Sequence, residues 1–130
     1  MIRQLIYLEP CDWTVIVYYD AGRENADEIL QALQRLGCSD SALARAENNL
    51  SGSMIDTGLT YTNDGVRSSV VVISEASDSG EFWNTLDHEK GHLAKHIAEA
   101  LGMECSGEKV QYLSGDIARA MYPVARLFIR

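Results

Sequence analysis

Apolar residues recur along this chain with two periods, about two and about 3.6 residues, which distinguish strands from helices. Residues 13–19 (WTVIVYY) are β-branched and aromatic, so they predict a well-buried strand. Residues 2–8 predict a shorter strand, or an extended segment that leads into it. The amino-terminal part of the chain is therefore expected to supply strands to a sheet.

A β-hairpin is predicted in the middle of the chain. Residues 58–62 (GLTYT) and 67–73 (RSSVVVI) flank Asn63, Asp64 and Gly65. The Asp-Gly pair favours the positive φ angles that a tight turn needs. The two segments are therefore expected to pair as antiparallel strands.

Four segments have the apolar spacing of amphipathic helices. They are residues 23–36, 40–49, 77–101 and 107–121. The third and longest begins where Asp78 and Glu81 have capping-box spacing, and it ends before Gly102. The fourth should end before Pro123, because the position before a proline disfavours helical geometry.

The order of these elements indicates the fold class. Strands come first, followed by helices, the hairpin and two further helices. That segregation predicts an α+β fold in which a small antiparallel sheet packs against helices on one side. A length of 130 residues fits a single domain, residues 1–130, built on one core.

Composition and charge narrow the classes of partner. Hydrophobic residues make up 46% of the chain, and no stretch approaches the roughly 20 apolar residues of a membrane span. The formal net charge of −8 disfavours binding to nucleic acid or to an anionic membrane. The amino terminus lacks a signal-peptide cleavage site, and Cys11, Cys38 and Cys105 form no CxxC pair. We therefore expect a cytoplasmic protein with reduced thiols.

The three histidines are concentrated on the third predicted helix. His88, Glu89 and His92 belong to an HExxH sequence. Side chains at i and i+4 share a helix face about 6 Å apart along the axis, so the two imidazoles can converge on one tetrahedral Zn²⁺. The adjacent glutamate can reach a water on the metal and act as a general base. The motif predicts one zinc ion per chain, although such ligands also accept Fe, Mn, Co or Ni.

The helical wheel places an apolar stripe beside the histidine face. The stripe consists of Phe82, Leu86, Leu93, Ile97 and Ala100. The helix can therefore anchor on the core through the stripe and present His88 and His92 to a cleft. Gly91, in the middle of this helix, costs about 1 kcal/mol relative to alanine, which is consistent with close packing or a crowded metal site.

A third metal ligand is expected from outside this helix. His96 lies roughly 12 Å along the axis from His88, too far for both to hold one ion, so it is interpreted as a supporting or packing side chain. The following helix offers three carboxylates, Glu104, Glu108 and Asp116. Glu108 is preferred because it lies in the first turn, and a solvated glutamate is the alternative.

Tyr112 shares the helix face of Glu108 and is a candidate catalytic residue. Its hydroxyl would donate to an oxyanion that develops during the reaction. A buried aromatic side chain without a catalytic role is the alternative. The turn at Gly102 can fold Glu108, and the face that it shares with Tyr112, back onto the motif.

The segment EFWNTLDHEKGHLAKHI, followed by SGEKVQYLSGDIARAMYP, resembles small HExxH proteins of phages and mobile elements, which look like minimal gluzincin-type zinc metallopeptidases. The likeness covers roughly residues 57–123. It implies a zincin-like fold with the motif on a long helix. His88, His92 and Glu108 would be the zinc ligands. Glu89 would be the base, and a peptide or protein substrate would pair along the edge of the hairpin.

Two functions are compatible with these features. The first is a zinc-dependent metallopeptidase that hydrolyses peptide bonds by a metal-activated water. The second is a non-catalytic metal-binding protein or phage accessory protein, in which the site is structural or vestigial. Replacing Glu89 by glutamine separates them, because it removes the base and leaves both histidines in place.

Overall fold

The computed structural model describes residues 1–51, 58–104 and 106–129. Four strands and four α-helices lie within these ranges. They are β1 (Ile2–Leu8), β2 (Trp13–Ala21), α1 (Ala26–Arg35), α2 (Asp40–Ser51), β3 (Leu59–Asn63), β4 (Ser68–Ser74), α3 (Ser79–Ala100) and α4 (Glu108–Ala125). The fold is α+β, as the order of sequence patterns predicts. Thr57, the first residue of the segment that resembles HExxH proteins, lies outside the described residues, as does Cys105.

The strands form one mixed sheet in the order β1-β2-β4-β3. β1 pairs antiparallel with β2, and β3 pairs antiparallel with β4, but β2 and β4 are parallel. The prediction of a purely antiparallel sheet is therefore wrong at its centre. Two helices separate β2 from the hairpin, and the hairpin joins the sheet through β4, which leaves β3 at the edge.

Helices cover both faces of the sheet, not one face as predicted. One core packs α3 and α4 against β1, β2 and β4, and it includes Trp13 and Val71. The other packs α1 and α2 against the opposite face, where Val70 and Val72 point. Consecutive valines of β4 are buried on opposite sides, which is the pattern of a strand enclosed by two layers.

The ends of α3 lie where the sequence places them. The Asp78 side chain accepts a hydrogen bond from the backbone N–H of Glu81 at 2.8 Å, which satisfies a free donor of the first turn. At the other end Gly102 adopts a φ of +69°, a conformation that suits glycine and stops the helix. The long helix is therefore bounded by its own sequence.

α4 continues beyond its predicted end. Pro123 lies inside the helix, which runs to Ala125. The proline removes a backbone donor from the last turns. In the preceding turn the Gln4 amide donates to the carbonyl of Ala120 at 2.9 Å, so β1 also binds this part of the helix. Within the described residues, no helix is both long enough and apolar enough to cross a membrane.

Candidate metal centre

A cleft of about 590 Å³ lies between α3 and the edge strand β3. We call it the histidine cleft. All three histidines and Glu89 line it from the helix, and Gly58 and Thr60 line it from the strand side. The residues singled out by the HExxH spacing therefore share one solvent-accessible site.

His88 and His92 approach each other closely in this cleft. Their Nε2 atoms are 3.1 Å apart, and their rings are almost perpendicular, at 88°. Two nitrogens that bind one tetrahedral Zn²⁺ at the usual bond length are about 3.3 Å apart. The separation of the two Nε2 atoms therefore matches two ligand positions of a zinc ion, and both side chains are exposed.

Glu89 faces the edge strand and is only 4% exposed. The Thr60 hydroxyl donates to its Oε1 at 2.9 Å and also lies 3.3 Å from its backbone carbonyl oxygen. No buried side-chain oxygen in the described part of the chain lacks a partner, so Oε2, which has no partner among the described residues, is accessible to solvent at the cleft that Glu89 lines. Thr60 thus binds one carboxylate oxygen of Glu89, and the other oxygen can accept a hydrogen bond or a proton.

Gly58 is the point where the strand segment approaches the base most closely. A Cβ atom there would lie 2.5 Å from Glu89 Cγ and 2.5 Å from the backbone oxygen of Val72. Because the Val72 oxygen belongs to the backbone of the sheet, it cannot simply move aside. The position therefore requires glycine, a requirement that the sequence pattern did not reveal.

His96 stands at the end of the cleft and is fixed by a hydroxyl. Its Nδ1 lies 2.9 Å from Thr62 Oγ1, and Thr62 Oγ1 lies 2.7 Å from Ser69 Oγ. Trp13 Nε1 donates to that serine at 3.0 Å. Burial, followed by the nearby charge of His92, lowers the pKa of His96, which favours a neutral ring at pH 7.

Glu108 and Tyr112 are not brought to the histidine pair. The Lys90 ammonium of α3 donates to Ser114 of α4 at 3.2 Å, and Lys90 lies about 200° around the helix from His88. α4 therefore packs on the far side of α3 from the histidine cleft. Glu108 lines a cavity near Gly102, and Tyr112 is 69% exposed.

The two other carboxylates considered as third ligands are also distant from the cleft. Glu104 lines the same cavity as Glu108, and Asp116 lines a third cavity beside Cys11. Within residues 1–51, 58–104 and 106–129, no group of three or more His, Cys, Asp or Glu side chains is arranged to hold a metal ion. The carboxylates that do line the cleft are Glu81 and Glu89.

Sequence reasoning missed the strand residues of this site. Thr60 and Thr62 alternate in the LTYTN segment, so a strand places both hydroxyls on one face. Their alternation was therefore a usable signal once the hairpin had been predicted. The spacing of the residues did not indicate that this face lies against α3, whereas the resemblance to HExxH proteins implies a hairpin strand beside the cleft. No known protein family matches the chain, and no curated protein or solved structure is significantly similar to it.

Proposed function

We propose that this chain is a zinc-dependent metallopeptidase of zincin-like type that hydrolyses peptide bonds. One observation carries the proposal: His88 and His92 offer Nε2 atoms 3.1 Å apart in the same cleft as the carboxylate of Glu89. A polar helix face with no function does not need a buried glutamate beside two exposed imidazoles. The proposed site has two protein ligands, and water or substrate takes the other positions.

Zinc, Glu89 and Thr60 would have separate roles in the reaction. When bound, zinc would lower the pKa of a water and polarise the scissile carbonyl. Oε2 of Glu89 would accept the proton of the attacking water and return it to the leaving amine. The hydrogen bond from Thr60 keeps the carboxylate oriented for both transfers.

The substrate proposed for this site is an extended peptide. β3 is an edge strand, paired on one side with β4. Its other backbone edge has no strand partner among the described residues and lies beside the cleft. An extended peptide can add to such an edge through main-chain hydrogen bonds, which would lay its carbonyl groups across the histidines.

Metal content is the first test, measured by elemental analysis on chain purified without a histidine tag or chelator. We expect about one zinc per chain, with affinity reduced more than about 100-fold in His92→Ala, since even residues behind the ligands contribute 10–100-fold. Glu108→Gln is the matched control and should bind zinc as the unmodified chain does. Loss of zinc in Glu108→Gln would return this glutamate to the ligand set.

Peptide hydrolysis is the second test. Glu89→Gln should lower kcat by about 10²–10⁴-fold on a casein-derived peptide pool, while zinc content stays at the level of the unmodified chain. Full activity of Glu89→Gln would exclude the glutamate as the base.

The alternative function is a non-catalytic metal-binding or accessory protein. It is favoured by the presence of two, not three, candidate ligand side chains at the histidine pair in the described part of the chain. This alternative predicts bound metal that stabilises the fold, and no hydrolysis by the unmodified chain.

A further inference from the structure

His96 is the histidine of the cleft that has no role in the HExxH mechanism. Its side chain nevertheless belongs to the longest chain of successive hydrogen bonds in the site. Nδ1 contacts Thr62 Oγ1 on β3, which contacts Ser69 Oγ on β4, which contacts Trp13 Nε1 on β2. One relay thus runs through three adjacent strands and ends on an imidazole of the cleft.

The direction of the hydrogens in this relay follows from its first member. An indole N–H only donates, so Ser69 Oγ accepts from Trp13. Ser69 is 2% exposed, and the hydroxyl of Thr62 is its one other hydrogen-bond partner within the described ranges. The serine hydrogen must therefore point to Thr62, because the opposite direction would leave a buried donor unsatisfied, at a cost of about 1–3 kcal/mol.

This direction of the hydrogens also bears on the tautomer of the histidine. If Thr62 accepts from Ser69, its own hydrogen is free to donate to His96 Nδ1. A neutral imidazole that accepts at Nδ1 carries its hydrogen at Nε2. No buried side-chain nitrogen of the described chain lacks a partner, so Nε2, which has no partner among the described residues, is accessible to solvent. His96 lines both the histidine cleft and a neighbouring cavity beside Glu99.

We propose that the relay from Trp13 through Ser69 and Thr62 holds His96 as a fixed Nε2–H donor that binds a carbonyl or oxyanion oxygen of the substrate. The ring centres of His92 and His96 are 6.3 Å apart, and both rings line the histidine cleft. Such a donor, aimed before the reaction begins, stabilises charge that develops on that oxygen. His96 thereby takes the role that the sequence suggested for Tyr112. The substrate part of this proposal rests on the proposed function, whereas the tautomer does not.

The tautomer is tested on the metal-free chain by long-range ¹H–¹⁵N NMR of the histidine side chains at pH 7.5. We expect a single Nε2–H form for His96 in the unmodified chain and in Thr62→Ser. Thr62→Val, which keeps the shape but loses the hydroxyl, should give a mixture of both tautomers. Thr60→Val, on the same strand face, is the control and should leave His96 unchanged. An Nδ1–H form in the unmodified chain would overturn the proposal whether or not the protein binds zinc.

The donor role is tested by a pair of substitutions at the same position. Asparagine places an acceptor near Nδ1 and has no donor at Nε2, whereas glutamine can place an N–H near Nε2. With the casein-derived peptide pool, His96→Asn should lower kcat/KM about 10²–10³-fold and His96→Gln less than about tenfold, both with unchanged zinc content. Equal activity of His96→Asn and the unmodified chain would overturn the donor role. Absence of zinc or of hydrolysis in the unmodified chain would instead count against the proposed function, and the NMR result would stand.

Discussion

The two faces of α3 differ in chemistry and in neighbours. The face toward β3 carries the histidines and Glu89, and its contacts are hydrogen bonds to the threonines of an edge strand. The face toward α4 and the sheet carries Leu93 and Ile97, which are buried in the core. The helix is thus anchored in the core through one side, and its other side carries the site. Substitutions on the two faces should therefore separate stability from metal binding.

The largest effect is expected on the packed face. Ile117 of α4 is 1% exposed and belongs to the core that holds α3. Ile117→Ala should lower the free energy of unfolding by about 2–5 kcal/mol, measured by urea denaturation, because it leaves a cavity. Zinc stoichiometry of the folded fraction should not change. Leu127→Ala, at a position 51% exposed, is the control and should shift stability by less than about 0.5 kcal/mol.

A smaller loss of stability is expected at Gly58, where the segment that leads into β3 contacts Glu89. Gly58→Ala would place a methyl group 2.5 Å from Glu89 Cγ and from the Val72 backbone oxygen. We expect destabilisation of about 1–3 kcal/mol in urea, together with reduced hydrolysis at full zinc content. Gly115→Ala, inside α4 where the new atom meets nothing within 4 Å, is the control and should not lower stability. Unchanged stability and activity of Gly58→Ala would show that the close approach to Glu89 has no consequence.

The smallest effect has the opposite sign and lies within the motif. Gly91 is exposed, and a Cβ atom there would have no neighbour within 4 Å. Close packing therefore does not explain the glycine at position 91 in the described structure. Gly91→Ala should raise the free energy of unfolding by up to about 1 kcal/mol, and it should leave zinc affinity unchanged. Weaker zinc binding by this variant would revive the interpretation of a crowded metal site.

The sequence predicts well those features that depend on residues close together along the chain. The start of α3 follows from Asp78, and the histidine pair follows from i,i+4 spacing, because both depend on residues within a few positions of each other. The hairpin was also predicted, although its left-handed residue is Arg67, at a φ of 50°, and not Gly65. Local spacing thus determines which residues share a face.

Local spacing does not determine what lies opposite that face. The sequence predicts Glu108 near the histidines because it lies in the first turn of the helix that follows α3, but α4 packs on the Lys90 side of α3. The element that does face the motif is β3, which precedes it. Likewise, the parallel pairing of β2 with β4 depends on how two intervening helices pack, and no short segment encodes it.

The parallel pairing of β2 and β4 also has a consequence for the order of folding. The strand segment, hairpin and helix that surround the cleft form one contiguous stretch, residues 58 to 96. Pairing Thr14 with Ser68 instead requires the chain to close a long loop, and such non-local contacts form slowly. The histidine pair can therefore assemble early from nearby chain. Trp13 reaches Ser69 only when β2 docks, so the orientation of His96 is expected to be among the last features of the site to form.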